Sequence, residues 1–273
     1  MSNTNSCRAV LRYPGSKWRI ASQLCEYIPK HHSYLEPYFG SGAVFFTKQP
    51  SAIETINDLD LDVVNLFSCL RDNPDKLASM IYATPYARYI YDRQFTEQPV
   101  LDPYEKALSF LIKCWMGHGY RTNGYKVGWK NDVQGRERAY SLLNWQSLPD
   151  WVLLAADRLK QAQIECMPAI DLIRRFDYEN VFMYVDPPYV LSTRAGKQYK
   201  HEMADKDHME LLDVLLASKA KIMLSGYAHP LYDEKLKEWK RIELKNQSTS
   251  GKVTTEIIWM NYRIGSYVQQ TLF

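Results

Sequence analysis

Short runs of strand-forming residues alternate with helix-length stretches at both ends of this chain, and that alternation constrains the fold more than any other feature. In the first part, "SYLEP" reads as a short strand, "GSGAVFFTKQ" as a helix opened by a glycine turn, and "AIETIND" as a second strand before a helix from about Asp60 to Arg71. Ahead of them, Ser16 is placed to cap a helix running through Lys30. In the last part, "IECM", a helix over 169–176, "VFMYV", a helix over 205–218, "KIMLS", a helix near 230–238, "RIELK" and "TTEIIWMNY" repeat the pattern. Strands separated by helices predict a doubly wound α/β sheet. Between Asn73 and about Leu159 the strand signal fades. Helical patterns such as "DPYEKALSFLIKCWMG", with Pro103 near its start, take over, and a glycine-rich basic loop over 117–135 interrupts them. The expected organisation is an α/β domain over 1–70 and 160–273, interrupted by a mainly helical insertion over 71–159.

A chain of 273 residues suffices for one large domain or two modest ones, and 46% hydrophobic with 24% charged residues is the balance of a soluble globular protein. No apolar run approaches the ~18 residues of a membrane span, and the opening "MSNTNSCRAVLRY" has no apolar signal core, so neither membrane insertion nor secretion is expected. The five cysteines (Cys7, Cys25, Cys69, Cys114, Cys166) are odd in number and scattered, with no Cys-x-x-Cys pair. A disulfide framework or a metal cluster is therefore not expected, and a reducing cytoplasm fits. Aromatic residues are plentiful, with 20 Tyr, 9 Phe and 7 Trp, and Tyr and Trp suit surfaces that grip planar ligands.

Net charge is only +3, but its distribution is uneven. From His118 to Tyr140 stand Arg121, Lys126, Lys130, Arg136 and Arg138 against Asp132 and Glu137, a local excess equal to the surplus of the whole chain. A second stretch, "STRAGKQYKH", carries Arg194, Lys197 and Lys200 with no acid. Either alone reads as a solvated loop. Two of them, rich in Gly and aromatics, point to a phosphate-facing surface.

Ligands of open α/β sheets bind at the carboxyl ends of strands, and three motifs fall there. In "EPYFGSG" (36–42), Gly40 and Gly42 permit a tight turn and close approach of a ligand, or simply a turn. Asp58 of "NDLD" lies 18 residues past Gly40, a spacing suited to bonding ribose hydroxyls, whereas Asp60 is the better helix cap. The third is "VDPPY", where a strand of apolar residues ends at Asp186-Pro187-Pro188-Tyr189. A turn would explain it; so would chemistry at an aromatic amine. The lone pair of such an amine is delocalised, and attack on a methyl group needs acceptors aimed at its N–H bonds. The Asp186 carboxylate supplies one, and the Pro187 carbonyl, its direction fixed by the prolines, supplies another. Tyr189 offers a face on which a planar base can stack.

Taken in order, "RYPGSK" (12–17), "EPYFGSG", "ND" (57–58) and "YVDPPY" (184–189) resemble the motifs of the Dam-like class of DNA N6-adenine methyltransferases, in the alpha-type arrangement: cofactor motif, recognition insertion, catalytic tetrapeptide. The similarity continues through "HMELLDVLLASKAKIMLSGY" and "TEIIWMNY". It implies S-adenosyl-L-methionine as methyl donor, a Rossmann-like sheet with a mainly helical target-recognition insertion, and no metal. Tyr13 and Lys17 match the N-terminal motif that helps hold the cofactor, with Lys17 suited to its methionine carboxylate. Glu36, Phe39, Gly40, Ser41 and Gly42 match the glycine loop, and Asp58 the acid at the ribose. Asp186, Pro187, Pro188 and Tyr189 match the catalytic tetrapeptide, Asp186 also lying close to the cofactor; Asp in its first place favours adenine N6, where Ser would favour cytosine N4.

GATC-reading members carry a distinctive hairpin in the insertion, and "GHGYRTNGYKVGWKND" departs from it. Asn123-Gly124 is a good hairpin turn. Arg121, Asn123, Tyr125, Lys126, Trp129 and Lys130 are candidates for a groove, Arg suiting guanine and Asn adenine, and Arg136, Arg138, Arg194 and Lys197 add phosphate contacts. The reading is a cytoplasmic, site-specific methyltransferase of double-stranded DNA acting on a flipped-out adenine. Its rivals are an RNA adenine methyltransferase and a catalytically silent DNA-binding regulator, the latter having no use for an intact acceptor tetrapeptide.

Overall fold

The computed structural model describes residues 7–97, 101–133, 138–194, 196–247 and 253–263, without the side chains of 246, 247, 253 and 254. The chain divides into two compact units: 17–59, 163–197 and 201–273 form one, and 1–16, 60–162 and 198–200 the other. Against the expected insertion of 71–159, the second unit takes in the helix that starts after Asp60, the N-terminal residues and a three-residue excursion at 198–200.

The first unit is built on a sheet of seven strands: β1 (Ser33–Glu36), β2 (Ile53–Asn57), β3 (Ala162–Glu165), β4 (Val181–Val185), β5 (Lys221–Gly226), β6 (Lys240–Gln247) and β7 (Val253–Met260), in the order β3-β2-β1-β4-β5-β7-β6. β1 pairs in parallel with β2 and β4, and β4 with β5, while β7 runs antiparallel to both β5 and β6. This is the doubly wound sheet expected from the alternation, with an antiparallel hairpin at one end. Strands covered on both faces read as continuous apolar runs rather than alternating ones, and "VFMYV" is buried throughout. Val181, Met183 and Val185 pack on one side with Leu211, Leu212 and Leu215. Phe182 and Tyr184 take the alternate positions, where Phe182 meets Tyr34 with ring centroids 5.9 Å apart.

The helices are α1 (Ala21–Glu26), α2 (Ala43–Thr47), α3 (Leu61–Asp72), α4 (Pro74–Ala83), α5 (Arg88–Arg93), α6 (Pro103–Met116), α7 (Tyr140–Leu159), α8 (Ala169–Arg175), α9 (Asp205–Ala217) and α10 (Pro230–Lys235). Two expectations shift. The helix expected from Ser16 through Lys30 is only α1: turns occupy residues 18–20, Ile20 sits at its start without a side-chain cap, and Pro29 lies just beyond its end. Lys17 is drawn instead into the buried ion cluster described below. β3 ends before Met167 because the Asn57 side chain takes over that residue's backbone, accepting from its N–H at 3.0 Å and donating to its carbonyl at 3.1 Å.

The second unit is mainly helical, from α3 to α7. Asp102 caps α6 by accepting from the N–H groups of Tyr104 and Glu105, ahead of Pro103 in the first turn. The glycine-rich stretch after α6 closes as a minimal hairpin: Lys130 N–H donates to Met116 O at 2.6 Å and His118 N–H to Gly128 O at 2.9 Å. Tyr91 fastens it with a hydroxyl bond of 2.7 Å to Val127 O, and Tyr86 does the same to Lys130 O.

Candidate active site

The carboxyl ends of β1, β2, β4 and β5 share one edge of the sheet, and the strand order reverses between β1 and β4, the position at which open α/β sheets bind ligands. Glu36 ends β1, Asn57 ends β2, and Asp186 follows the last residue of β4. β7 runs the opposite way and pairs Ile257 with Gly226, so Glu256 arrives at the same edge.

There Asp186 is held from three sides. Its Oδ2 pairs with Lys17 Nζ at 2.9 Å, and its Oδ1 accepts from Ser225 Oγ at 2.8 Å and from the Tyr189 hydroxyl at 3.2 Å. Lys17 Nζ also lies 3.4 Å from Glu256 Oε1 and 4.8 Å from the centre of the Tyr189 ring. Both Lys17 and Glu256 are buried, at 5% and 3% exposure. The Tyr189 ring stands edge-on to Tyr227, centroids 4.7 Å apart. Below, Ser225 bonds Tyr184 at 3.0 Å, and Glu36 accepts from the Tyr34 hydroxyl at 2.6 Å.

Burial pushes the Glu36 carboxyl up to about 8 and that of Glu256 up to about 7. The Asp186 charge adds to both shifts, while the Lys17 ammonium opposes that of Glu256. Asp186 and Glu256 thus share the Lys17 ammonium, while the Lys48 ammonium opposes the shift of Glu36. A cationic group arriving here would relieve the raised carboxyls. A ligand carrying an ammonium and a sulfonium, such as S-adenosyl-L-methionine, fits that charge pattern.

The loop after β1 joins the same edge. Gly40 and Gly42 both adopt left-handed backbone, φ 49° and 65°. At Gly42 a Cβ would lie 2.3 Å from the Phe39 ring and 2.9 Å from Phe46, so glycine is required there by packing as well as by φ. Gly40 N–H donates to Asp58 Oδ2 at 2.8 Å, which ties this loop to the one after β2. Asp60 instead caps α3, accepting from Asp62 N–H at 3.1 Å. The two acids of "NDLD" therefore do different jobs. Ser41 is buried in the loop.

Other expected residues have well-defined partners of their own. The Phe39 ring is 4% exposed and packs edge-on against Phe45, and both of its backbone polar groups are used, by Asn57 O and Gly42 N–H. Its ring is part of the packing beneath the glycine loop. Tyr13 belongs to the other unit, where its hydroxyl donates to Asp60 Oδ2 at 3.3 Å. Arg194, expected at phosphates, has a side chain only 6% exposed and bonded within its own unit. Trp129 is half-buried against Tyr86 at 5.8 Å, with the Arg88 guanidinium 4.8 Å from its ring and its indole N–H buried. Lys126 pairs with Asp92 at 2.7 Å.

Arg121, Asn123 and Tyr125 are exposed at the hairpin end. Asn123 Oδ1 accepts from Tyr125 N–H at 3.2 Å, Gly124 supplies φ 82°, and the Arg121 guanidinium lies 5.2 Å from the Tyr125 ring. Lys130 is half-buried, Arg138 and Lys197 are exposed, and Arg136 lies outside the described residues. The sequence reading passed over Ser225, Tyr227 and Glu256. Their signals were slight: "SGY" at the end of β5, and one acid inside the apolar run "TEIIWM".

Set against known proteins, the chain is 24% identical over 286 aligned positions to "Type II methyltransferase M1.LlaDCHI" of Lactococcus lactis subsp. cremoris, covering 95% of this chain and 97% of that one. It is 23% identical over 248 positions to "DNA adenine methylase" of Salmonella typhi (86% and 84% covered), and 26% over 199 positions to the protein of the same name from Escherichia coli K12 (69% and 68%). A solved SAM-dependent methyltransferase from Agrobacterium tumefaciens aligns over 89% of this chain and 59% of its own, at 14% identity and TM-score 0.38. Residues 13–250 match the D12 class of N6 adenine-specific DNA methyltransferases, and the chain belongs to that family.

Proposed function

We propose that this protein methylates N6 of adenine at specific sites in double-stranded DNA, on a base turned out of the helix, and that Asp186, Pro187, Pro188 and Tyr189 carry the reaction. The observation behind this is the posture of Asp186: a carboxylate at the end of a buried strand, tethered by Lys17, Ser225 and Tyr189. S-adenosyl-L-methionine supplies an electrophilic methyl group on a sulfonium. Lys17, Glu36, the backbone of Gly40 to Gly42 and Asp58 are the residues that would hold it.

Asp186 Oδ1 accepts an N–H of the adenine amine and draws its nitrogen towards tetrahedral geometry, and the Pro187 carbonyl accepts the other. The incoming amine displaces the Tyr189 hydroxyl, whose bond to Oδ1 is longer than that of Ser225, and Tyr189 is then free to stack on the base. Ser225 and Lys17 stay in place and keep the carboxylate aimed. Asp186 Oδ1 is the first acceptor for the proton that the methylated amine sheds. A DNA substrate fits a cytoplasmic protein, bacterial or phage-encoded.

The test is methylation-aware sequencing of duplex DNA incubated with the protein and donor, beside RNA of the same sequence. N6-methyladenine within one recurring DNA site is expected. Methyl groups on cytosine, on RNA alone or nowhere would overturn the reading.

A further inference from the structure

Arg194 belongs by sequence to a basic stretch suited to phosphates, but its side chain is turned inward. Its Nε donates to the Tyr189 carbonyl at 2.8 Å, and its two terminal nitrogens fork onto Glu202 at 3.3 and 2.5 Å. The two side chains are 6% and 13% exposed. Charges are withdrawn from water at a cost that only good geometry offsets, and a bidentate pair with a third bond to backbone is such geometry. What the pair grips is the last residue of the catalytic tetrapeptide, just before the short 3-10 turn Leu191–Thr193.

We propose that Arg194, braced by Glu202, is a positioning residue that fixes the Tyr189 backbone and so aims the tyrosine ring and hydroxyl at the Asp186 edge. The clamp also closes the base of the segment between its two members. Within that segment, residues 198–200 cluster with the helical unit, where Gln198 O accepts from Thr122 N–H and Lys200 N–H donates to Thr122 Oγ1, both at 2.8 Å. Thr122 stands between Arg121 and Asn123. Arg194 and Glu202 thus flank, in sequence, the residues that bond Thr122. The inference rests on the reading of Tyr189 as the base-stacking residue.

Arg194→Lys keeps the charge but loses the planar fork that reaches Tyr189 O and both Glu202 oxygens in one fixed geometry; Glu202→Gln weakens the brace from the other side. Each is compared with the parent in turnover on site-bearing DNA, in Kd for S-adenosylhomocysteine, in DNA affinity across a salt series, and in amide exchange of peptides over 187–194. The clamp predicts turnover lower by roughly 10²-fold in Arg194→Lys, from a misaimed tyrosine, with cofactor-product affinity and salt slope held and with faster exchange over 187–194. A salt slope lower by about one counterion with turnover intact would make Arg194 a phosphate contact instead. A lower melting temperature with full turnover below it would leave the pair only a structural role. Should the parent itself not methylate DNA, the functional reading fails, and the exchange measurement still decides the clamp: unchanged protection over 187–194 in both variants overturns it. If Arg194→Lys does not fold, Glu202→Gln carries the same comparisons.

Discussion

Asp186 and Arg121 are both charged residues just outside regular structure, and the protein treats them in opposite ways. Asp186 ends a buried strand and is held by an ammonium and two hydroxyls, at 17% side-chain exposure. Arg121 stands exposed on a glycine turn beside the Tyr125 ring. The acceptor proposed here for a weakly nucleophilic amine must be in place before charge develops, and Asp186 is tethered from four separate stretches of chain: Lys17, Tyr189, Ser225 and, through Lys17, Glu256. Reading a groove requires long polar side chains that keep their freedom until the partner arrives, on a frame that is itself fixed. Tyr86 and Tyr91 fix that frame by clasping the hairpin backbone. Substitutions at the sheet edge should therefore act on rate and cofactor, and substitutions in the hairpin on DNA affinity and its salt dependence.

The largest break comes from Asp186→Ala. Removing one preorganised group of this kind lowers turnover by ~10²–10³, measured by transfer of labelled methyl under saturating donor. DNA binding should persist. Near-parental turnover would mean that the tethered carboxylate serves structure alone. Asp186→Asn is a milder probe, because its amide keeps one acceptor oxygen.

Next is Asp58→Ala. The carboxylate both anchors the Gly40 N–H and is the acid proposed to accept a ribose hydroxyl. A hydrogen bond to a charged group is worth roughly 1.5–3 kcal/mol, about 10- to 150-fold in affinity. Calorimetry with S-adenosylhomocysteine should find that loss while DNA affinity holds. An unchanged Kd would leave Asp58 as a loop tether.

The contrast between the two regions was also legible to different depths. Apolar runs and glycine turns are local signals, so the strands, the glycine loop and the tetrapeptide could be placed from sequence. Asp58 and Asp60 could even be assigned separate roles, and the cap at Asp60 is as expected. Partnerships formed by folding were not legible. Nothing local joins Lys17 to Glu256, 239 positions away, or tells that Arg194 turns inward to Glu202 while Lys197 stays exposed. The short α1 is a related case: it begins after turns at 18–20, with Lys17 paired to Asp186 ahead of it, and it stops before Pro29.

Glu256 allows a smaller effect to be read without any ligand. Its carboxyl is pushed from the ordinary 4.5 up to about 7, chiefly by burial. The folded chain thus binds that proton more tightly than the unfolded chain does. The stability this provides is complete below about 4.5 and is lost as pH rises towards 7. Glu256→Gln removes that contribution, so the fall in melting temperature across this range should be shallower in the variant by a few degrees. It should not vanish, because Glu36, raised to about 8, carries the same sign. Parallel pH profiles for parent and variant would show that Glu256 is ionised throughout, locked to Lys17.

The smallest effect tests whether the hairpin's cations are as available as their exposure suggests. Lys126 is half-exposed, yet its ammonium lies 2.7 Å from Asp92 and within 5.5 Å of the Phe95 ring. A phosphate must therefore compete with a carboxylate already in place, which an exposed pair permits because such pairs are individually weak. Lys126→Ala should weaken binding to every duplex alike by a few-fold and lower the salt slope by about one counterion. Asp92→Ala should do the reverse, tightening binding to specific and random duplexes equally, because it frees the ammonium without adding one. The double variant should match Lys126→Ala, since Asp92 acts only through its partner. Cofactor affinity should be the same in all three. If Asp92→Ala leaves DNA binding unchanged while Lys126→Ala weakens it, the lysine already reaches phosphate from within its ion pair. If neither moves binding, the pair belongs to the hairpin's frame along with Tyr86, Tyr91 and Trp129, and the reading surface shrinks to the turn around Arg121, Asn123 and Tyr125.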